Sequence, residues 1–287
     1  MNIDTVGVIG AGVMGVGVAQ NAAQSGKKVV LIDLDPVILE KAIDKIRRDL
    51  RFQSMFKPAY ATVLDSATVL NNITPSSDYN LLSSTDYIIE NVTEKWDIKK
   101  EVYQKIDTLA KDNCIFAANT SAIPITRIAS LTKRPEKVIG IHFMNPVPLK
   151  SAVEVIMGYH TTEETLNTTK DLLSSMGKES IVVNDSPGFV SNRVLMLTIN
   201  EAIYLVYENV AKPEDVDRIF KTCFGHQMGP LETADLIGLD TILYSIDVLY
   251  ESFNDSKFRP CPLLKKMVDA GLYGMKNGKG FYTYDDF

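Results

Sequence analysis

Three observations predict an α/β fold with a mostly parallel sheet, followed by an all-helical region. Short β-branched runs alternate with helical stretches from residue 5 to about residue 184. Beyond that, to about residue 273, only helical periodicity is found. A glycine-rich turn joins the first strand to the first helix, the arrangement that binds ligands at the carboxyl edge of such sheets. Domains are therefore expected at 1–184 and 185–287, the first Rossmann-type and the second helical.

The elements follow in order. Thr5-Val6-Gly7-Val8-Ile9 is a strand, Gly10-Ala11-Gly12-Val13-Met14-Gly15 a turn, and the helix after it runs to Gln24 and stops at Ser25-Gly26. Lys28 to Asp33 is the next strand, which completes a βαβ unit with parallel strands and a right-handed crossover. A helix over 36–55, a strand Tyr87 to Glu90, a helix over 97–111 and a strand Cys114 to Ala118 continue the alternation. A helix near 124–131 precedes strands Val138 to Phe143 and Val153 to Ile156. Thr161-Thr162-Glu163-Glu164 has capping-box spacing for another helix, and Ser180 to Val183 is the last strand. At Asn184-Asp185-Ser186-Pro187-Gly188 the character changes, and the amphipathic stretch 189–210 suits either packing within the chain or packing on another subunit.

Composition bounds the function. The 287 residues are 45% hydrophobic and 23% charged, ordinary for a globular protein. A net charge of −6 without long like-sign runs argues against a nucleic-acid partner, which needs a broad positive field. Cys114, Cys223 and Cys261 form no C-x-x-C pair, so they are expected to be reduced thiols filling the core, with no metal site. The amino terminus does not read as a secretory signal and no run is long enough to span a membrane, which places the chain in the cytoplasm as an expectation.

The glycine turn carries the first functional signal. Gly10 permits the sharp turn, Gly12 lets a pyrophosphate approach the backbone, and Gly15 lets the helix lie on the sheet. Val13 and Met14 open that helix, whose free N–H groups attract phosphate. Asp33, 18 residues past Gly15, stands where an acid accepts the ribose hydroxyls and repels a 2′-phosphate, so NAD is expected rather than NADP. Arg47, the nearest arginine, is too far along the next helix to accommodate a 2′-phosphate easily.

Oxidising an alcohol with NAD also needs a base. Of three histidines, His160 precedes a helix cap and His226 lies in a Gly-Pro turn, whereas His142 ends a sheet strand on the ligand-binding edge. By position alone, His142 is equally well a satisfied core residue.

The surrounding motifs give more. Asn119-Thr120-Ser121, His142-Phe143-Met144-Asn145-Pro146, Val153-Glu154-Val155-Ile156 and Ser186 to Arg193 together resemble the L-3-hydroxyacyl-CoA dehydrogenases, including bacterial 3-hydroxybutyryl-CoA dehydrogenases. The spacings fit as well, 21 from Ser121 to His142, 12 to Glu154 and 38 to Asn192, and the likeness runs from Val6 to Tyr282. The resemblance implies that His142 is the general base, Glu154 its orienting acid, and Ser121 and Asn192 the holders of the substrate oxygen. It also implies that Glu94, Lys99, Asn119, Asn145 and Lys276 join the NAD site, that the substrate lies in a cleft between domains, and that the protein is a homodimer through its helical domain.

Two departures bear on the substrate. Met144 stands where the family typically has a second Phe, and Leu149-Lys150-Ser151-Ala152 alters the approach to Glu154. Where many relatives carry a Lys-rich tract for the phosphates of coenzyme A, this chain has Arg47, Arg48, Arg51 and Lys57, which suit a solvated helix face equally well. The acyl group could therefore arrive on coenzyme A or on an acyl carrier protein. A sugar-acid dehydrogenase and a non-catalytic NAD-binding protein are the further alternatives.

Overall fold

The computed structural model describes residues 3–56 and 65–284, which fall into two compact units that meet between Ser186 and Pro187. In the first unit, strands β1 (Thr5–Ile9), β2 (Lys28–Ile32), β3 (Ile73–Ser76), β4 (Tyr87–Glu90), β5 (Ile115–Ala118), β6 (Val138–His142), β7 (Ala152–Met157) and β8 (Glu179–Asn184) form one sheet. Its order is β3-β2-β1-β4-β5-β6-β7-β8. Helices α1 (Val13–Gln24), α2 (Pro36–Phe56), α3 (Ser66–Asn71), α4 (Trp96–Leu109), α5 (Ile125–Ala129) and α6 (Glu163–Ser175) complete the unit.

Strands β1, β2, β4 and β5 read as apolar runs because both faces are covered. Val6, Val8, Leu31, Ile89, Ala117, Ile139 and Ile141 belong to one buried cluster with Val16, Ala19 and Ala22 of α1. All pairings are parallel except β6 with β7. That exception follows from chain length: residues 143–151 between these strands are too few for the crossover that a parallel neighbour needs. The strand order reverses between β1 and β4, which opens a crevice at their carboxyl ends.

Some local details depart from the sequence reading. β3 and α3 were not anticipated, because Ile73-Thr74-Pro75-Ser76 is short, polar and contains proline; β3 is an edge strand, where a missing backbone N–H is tolerated. The N-cap of α6 is Thr162, whose hydroxyl accepts from the Thr165 N–H at 3.3 Å, and no Thr161–Glu164 box forms. Thr161 is engaged elsewhere, its hydroxyl donating to the Val138 carbonyl at 2.6 Å. Cys114 and Cys261 are buried as expected, but Cys223 is exposed. Lys57 lies outside the described residues.

The second unit is helical: α7 (Ser191–Tyr207), α8 (Pro213–Phe224), α9 (Pro230–Ile237), α10 (Leu239–Phe253) and α11 (Pro262–Asp269). Its core joins Met196, Ile199 and Ile203 of α7 to Leu231, Ile242, Ile246 and Leu264. Fully buried Asp235 accepts from the Phe281 and Tyr282 N–H groups at 3.0 and 2.9 Å, fastening the carboxyl-terminal segment to α9. Burial holds the Asp235 carboxyl above its usual range.

Candidate active site

The glycine turn sits where β1 ends and α1 begins. Gly10 has φ +89°, a left-handed conformation, and a side chain there would meet the Asn91 carbonyl oxygen at 2.8 Å. At Gly15 a β-carbon would lie 1.7 Å from the Gly10 oxygen, so the helix can begin this close to the strand only with glycine. Gly12 differs: a β-carbon there meets nothing within 4 Å. Protein packing does not demand that glycine, and the space it leaves is open to a ligand. Gly12 is also the N-cap of α1 and provides no side-chain cap, and the next residue, Val13, is exposed. The first N–H groups of a helix have no partner within it, so these features fit a pyrophosphate.

Asp33, just past β2, takes the Ala11 N–H at 2.8 Å and the Asp35 N–H at 3.2 Å. It thus braces the turn as well as standing beside it. An open cavity of about 700 Å³ beyond β2 and β3 is walled by Pro36, Leu39, Glu40, Asp44, Arg47 and Ser76. Arg47 lies on this wall with its guanidinium paired with Asp44, and Asp33 is not among the residues that line it.

The second cluster lies at the same carboxyl edge. His142 ends β6, and the antiparallel register places it directly opposite Glu154 of β7. His142 Nδ1 and Glu154 Oε2 are 3.1 Å apart, and both residues are less than a tenth exposed. On the other side of the ring, Nε2 lies 3.1 Å from Ser121 Oγ. An acid on one ring nitrogen and a hydroxyl on the other is the arrangement of an oriented imidazole base.

The loop carrying Ser121 is held by Glu94. Its Oε1 accepts from the N–H groups of Ser121 at 3.1 Å and Ala122 at 3.2 Å, and from the Thr120 hydroxyl. Behind it, Lys99 Nζ lies 2.9 Å from each oxygen of Glu90 and 3.5 Å from Glu94 Oε2. Glu90 and Lys99 have no exposed surface. Burial pushes the Glu90 carboxyl up and Lys99 pulls it back; burial disfavours the Lys99 ammonium, yet Glu90 and Glu94 hold it above its ordinary value.

Asn119 ties the strand ends together. Its Nδ2 donates to Asn91 Oδ1 at 2.7 Å, and its Oδ1 accepts the Phe143 N–H, next to His142, at 3.2 Å. Asn145 is exposed at the following turn. Asn192 and Lys276 stand on the second unit. Asn192, in the first turn of α7, has a buried Nδ2 with no hydrogen-bond partner among the described residues. Lys276 Nζ donates to Asp240 Oδ1 and Thr241 Oγ1, both at 2.7 Å.

Glu90 and Asn91 escaped the sequence reading. The signal was present, since a carboxylate closing a fully apolar strand demands a partner, and a lysine nine residues later on an amphipathic helix supplies one.

Residues 5–186 match the family model of the 3-hydroxyacyl-CoA dehydrogenase NAD binding domain, and residues 188–284 that of its C-terminal domain. The chain belongs to the 3-hydroxyacyl-CoA dehydrogenase family. Its first unit is that family's NAD-binding domain. This dehydrogenase is 46% identical over 286 residues to a probable 3-hydroxybutyryl-CoA dehydrogenase of Bacillus subtilis, covering 100% of this chain and 99% of the relative. It is 38% identical to the mitochondrial hydroxyacyl-coenzyme A dehydrogenase of Sus scrofa, covering 97% and 90% of the two chains. The crystal structure of (S)-3-hydroxybutyryl-CoA dehydrogenase from Ralstonia eutropha is similar at TM-score 0.93 and 42% identity, covering 99% of this chain and 100% of the other. Among the described residues of the dehydrogenase, no helix is long and apolar enough to cross a membrane and no acid, His and Cys group could hold a metal ion.

Proposed function

We propose that the enzyme interconverts a short-chain L-3-hydroxyacyl thioester, 3-hydroxybutyryl-CoA foremost, and the 3-ketoacyl thioester. The observation that carries this reading is His142, held at 3.1 Å by Glu154 on one ring nitrogen and at 3.1 Å from the Ser121 hydroxyl on the other. In oxidation Nε2 takes the proton of the substrate hydroxyl, and in reduction it returns a proton to the ketone oxygen. Glu154 keeps Nδ1 as the donor in the resting state and offsets the charge that the ring gains. Ser121 Oγ holds the reacting oxygen. The unpartnered Nδ2 of Asn192 is a donor suited to a substrate carbonyl.

NAD, when bound, accepts or returns the hydride. Gly10, Gly12, Val13, Met14 and Gly15 would hold its pyrophosphate, and Asp33 its adenosine ribose. Glu94, Asn145 and Lys276 complete the proposed cofactor site, with Asn119 and Lys99 standing behind it. The names of the relatives favour coenzyme A as the thioester carrier.

The enzyme is proposed to be a cytoplasmic homodimer, joined through the helical unit, in fatty acid metabolism. Val194, Ile219 and Phe224 of α7 and α8 are exposed apolar side chains that support such an interface. The decisive experiment measures NADH absorbance on a panel of CoA-bound and carrier-bound hydroxyacyl thioesters, for the parent protein and for His142→Ala. Turnover of short CoA esters by the parent, lost in the variant while NADH still binds, is the expected result. Near-normal activity of the variant removes His142 from the mechanism.

A further inference from the structure

Lys99 has the sequence position of a cofactor ligand but not the exposure of one. Its side chain has no accessible surface, and its ammonium is committed to Glu90 at 2.9 Å and Glu94 at 3.5 Å. A nucleotide cannot touch such a group unless the residues that cover it move. Whatever Lys99 contributes must pass through the residues it holds.

Glu94 is the one that reaches the site. Its Oε1 gathers the Thr120 hydroxyl and the N–H groups of Ser121 and Ala122, while its Oε2 faces Lys99. A carboxylate fixed at both oxygens cannot swing about its last bonds. Three donors converging on one oxygen hold that end of the side chain in place. Glu90 is anchored in turn, since its Oε1 accepts the Val92 N–H at 2.7 Å where β4 leaves the sheet. The chain of contacts runs from a buried strand end, through one ammonium, to the loop that sets the Ser121 hydroxyl.

We infer that Glu90 and Lys99 form a buried positioning pair, acting through Glu94 on the loop Thr120–Ala122, so that Ser121 Oγ stays within hydrogen-bond reach of His142 Nε2. The pair touches neither substrate nor cofactor. This rests on the hydroxyacyl dehydrogenase reading, which gives the Ser121 hydroxyl its task. Displacing a substrate-holding group by a fraction of an ångström lowers turnover more than it weakens a nucleotide held mainly at the glycine turn.

The test replaces both partners together, Glu90→Gln with Lys99→Met, so that no uncompensated charge is left buried. With acetoacetyl-CoA at saturating NADH, kcat should fall by about tenfold or more. The Kd for NADH, from its fluorescence, should stay within about threefold, and in a Ser121→Ala background the same double change should cost less than about threefold further. If the double variant fails to fold by circular dichroism, Glu90→Gln alone keeps the shape of the site and should show the same split between kcat and Kd. A weakened NADH Kd with kcat intact would make Lys99 a cofactor contact. Unchanged kcat, or a loss that adds fully to that of Ser121→Ala, would detach the pair from Ser121. A parent protein inactive on every thioester is a different failure, which strikes the functional reading itself.

Discussion

Replacing Glu154 by glutamine keeps the side chain's length and its seat opposite His142 but removes its charge. The geometry sets the expected cost. The carboxylate oxygen is 3.1 Å from Nδ1, and His142 and Glu154 are 8% and 7% exposed, so water screens the interaction poorly. A hydrogen bond to a charged group contributes about 1.5–3 kcal/mol. At about 1.4 kcal/mol per tenfold, losing it as the imidazole gains its proton predicts a kcat about 10- to 150-fold lower. The amide also offers an N–H to a ring nitrogen that needs an acceptor, which favours the wrong tautomer and pushes the loss to the upper end. The assay is the initial rate of NADH formation at saturating 3-hydroxybutyryl-CoA and NAD, with thermal melting to confirm folding. A folded Glu154→Gln protein with kcat within about threefold of the parent would refute the role given to this carboxylate.

The glycine turn makes opposite predictions for two of its members. Gly12→Ala should leave the melting temperature unchanged yet weaken NADH binding at least about tenfold, because its β-carbon enters only the space proposed for the pyrophosphate. Gly15→Ala should instead lower the melting temperature, since its β-carbon would fall 1.7 Å from the Gly10 oxygen. Asp33→Ser should reduce the preference for NADH over NADPH in paired kinetics, because the acid that repels a 2′-phosphate is gone; an unchanged ratio would count against Asp33 as the discriminating acid. Lys178, whose ammonium donates to the Val147 and Lys150 carbonyls at 2.7 Å each, has its proton affinity lowered by burial. The unfolded chain therefore binds this proton more tightly, and stability should rise as pH climbs from the depressed value toward 10.5. Lys178→Met should abolish that rise in chemical denaturation curves, and a rise that persists would assign it to another group. Phe224→Glu should turn the proposed dimer into a monomer by light scattering without loss of helix content.

The sequence carried the sheet and its carboxyl edge because parallel strands buried on both faces leave unmistakable β-branched runs, as in Val29 to Ile32 and Ile88 to Ile89. The glycine turn was equally legible, since Gly10 and Gly15 answer steric demands that no other residue meets. β3 was hidden because an edge strand needs neither apolar faces nor a full set of N–H groups. The part played by Lys99 was missed for another reason: periodicity places it on an amphipathic helix, and its one sequence signal, the acid that closes a buried strand nine residues earlier, names no partner by itself. Cys223 misled in the opposite direction, because a thiol carries no mark of where on a helix it will fall. Glu94 was picked out as a cofactor residue, whereas its three hydrogen bonds to the Ser121 loop depend on a backbone path that spacing does not encode.

The antiparallel pairing of β6 and β7 has one more consequence. Because His142 and Glu154 are neighbours across a ladder, the rungs set their separation and the nine residues between the two strands do not. Slipping that ladder by a single position would send the acid to the opposite side of the sheet, so the two strands must be inherited in step. The connecting stretch lies outside that ladder, so its own contacts, such as the Lys178 ammonium on the Val147 and Lys150 carbonyls, can change while the proton-handling couple stays in register.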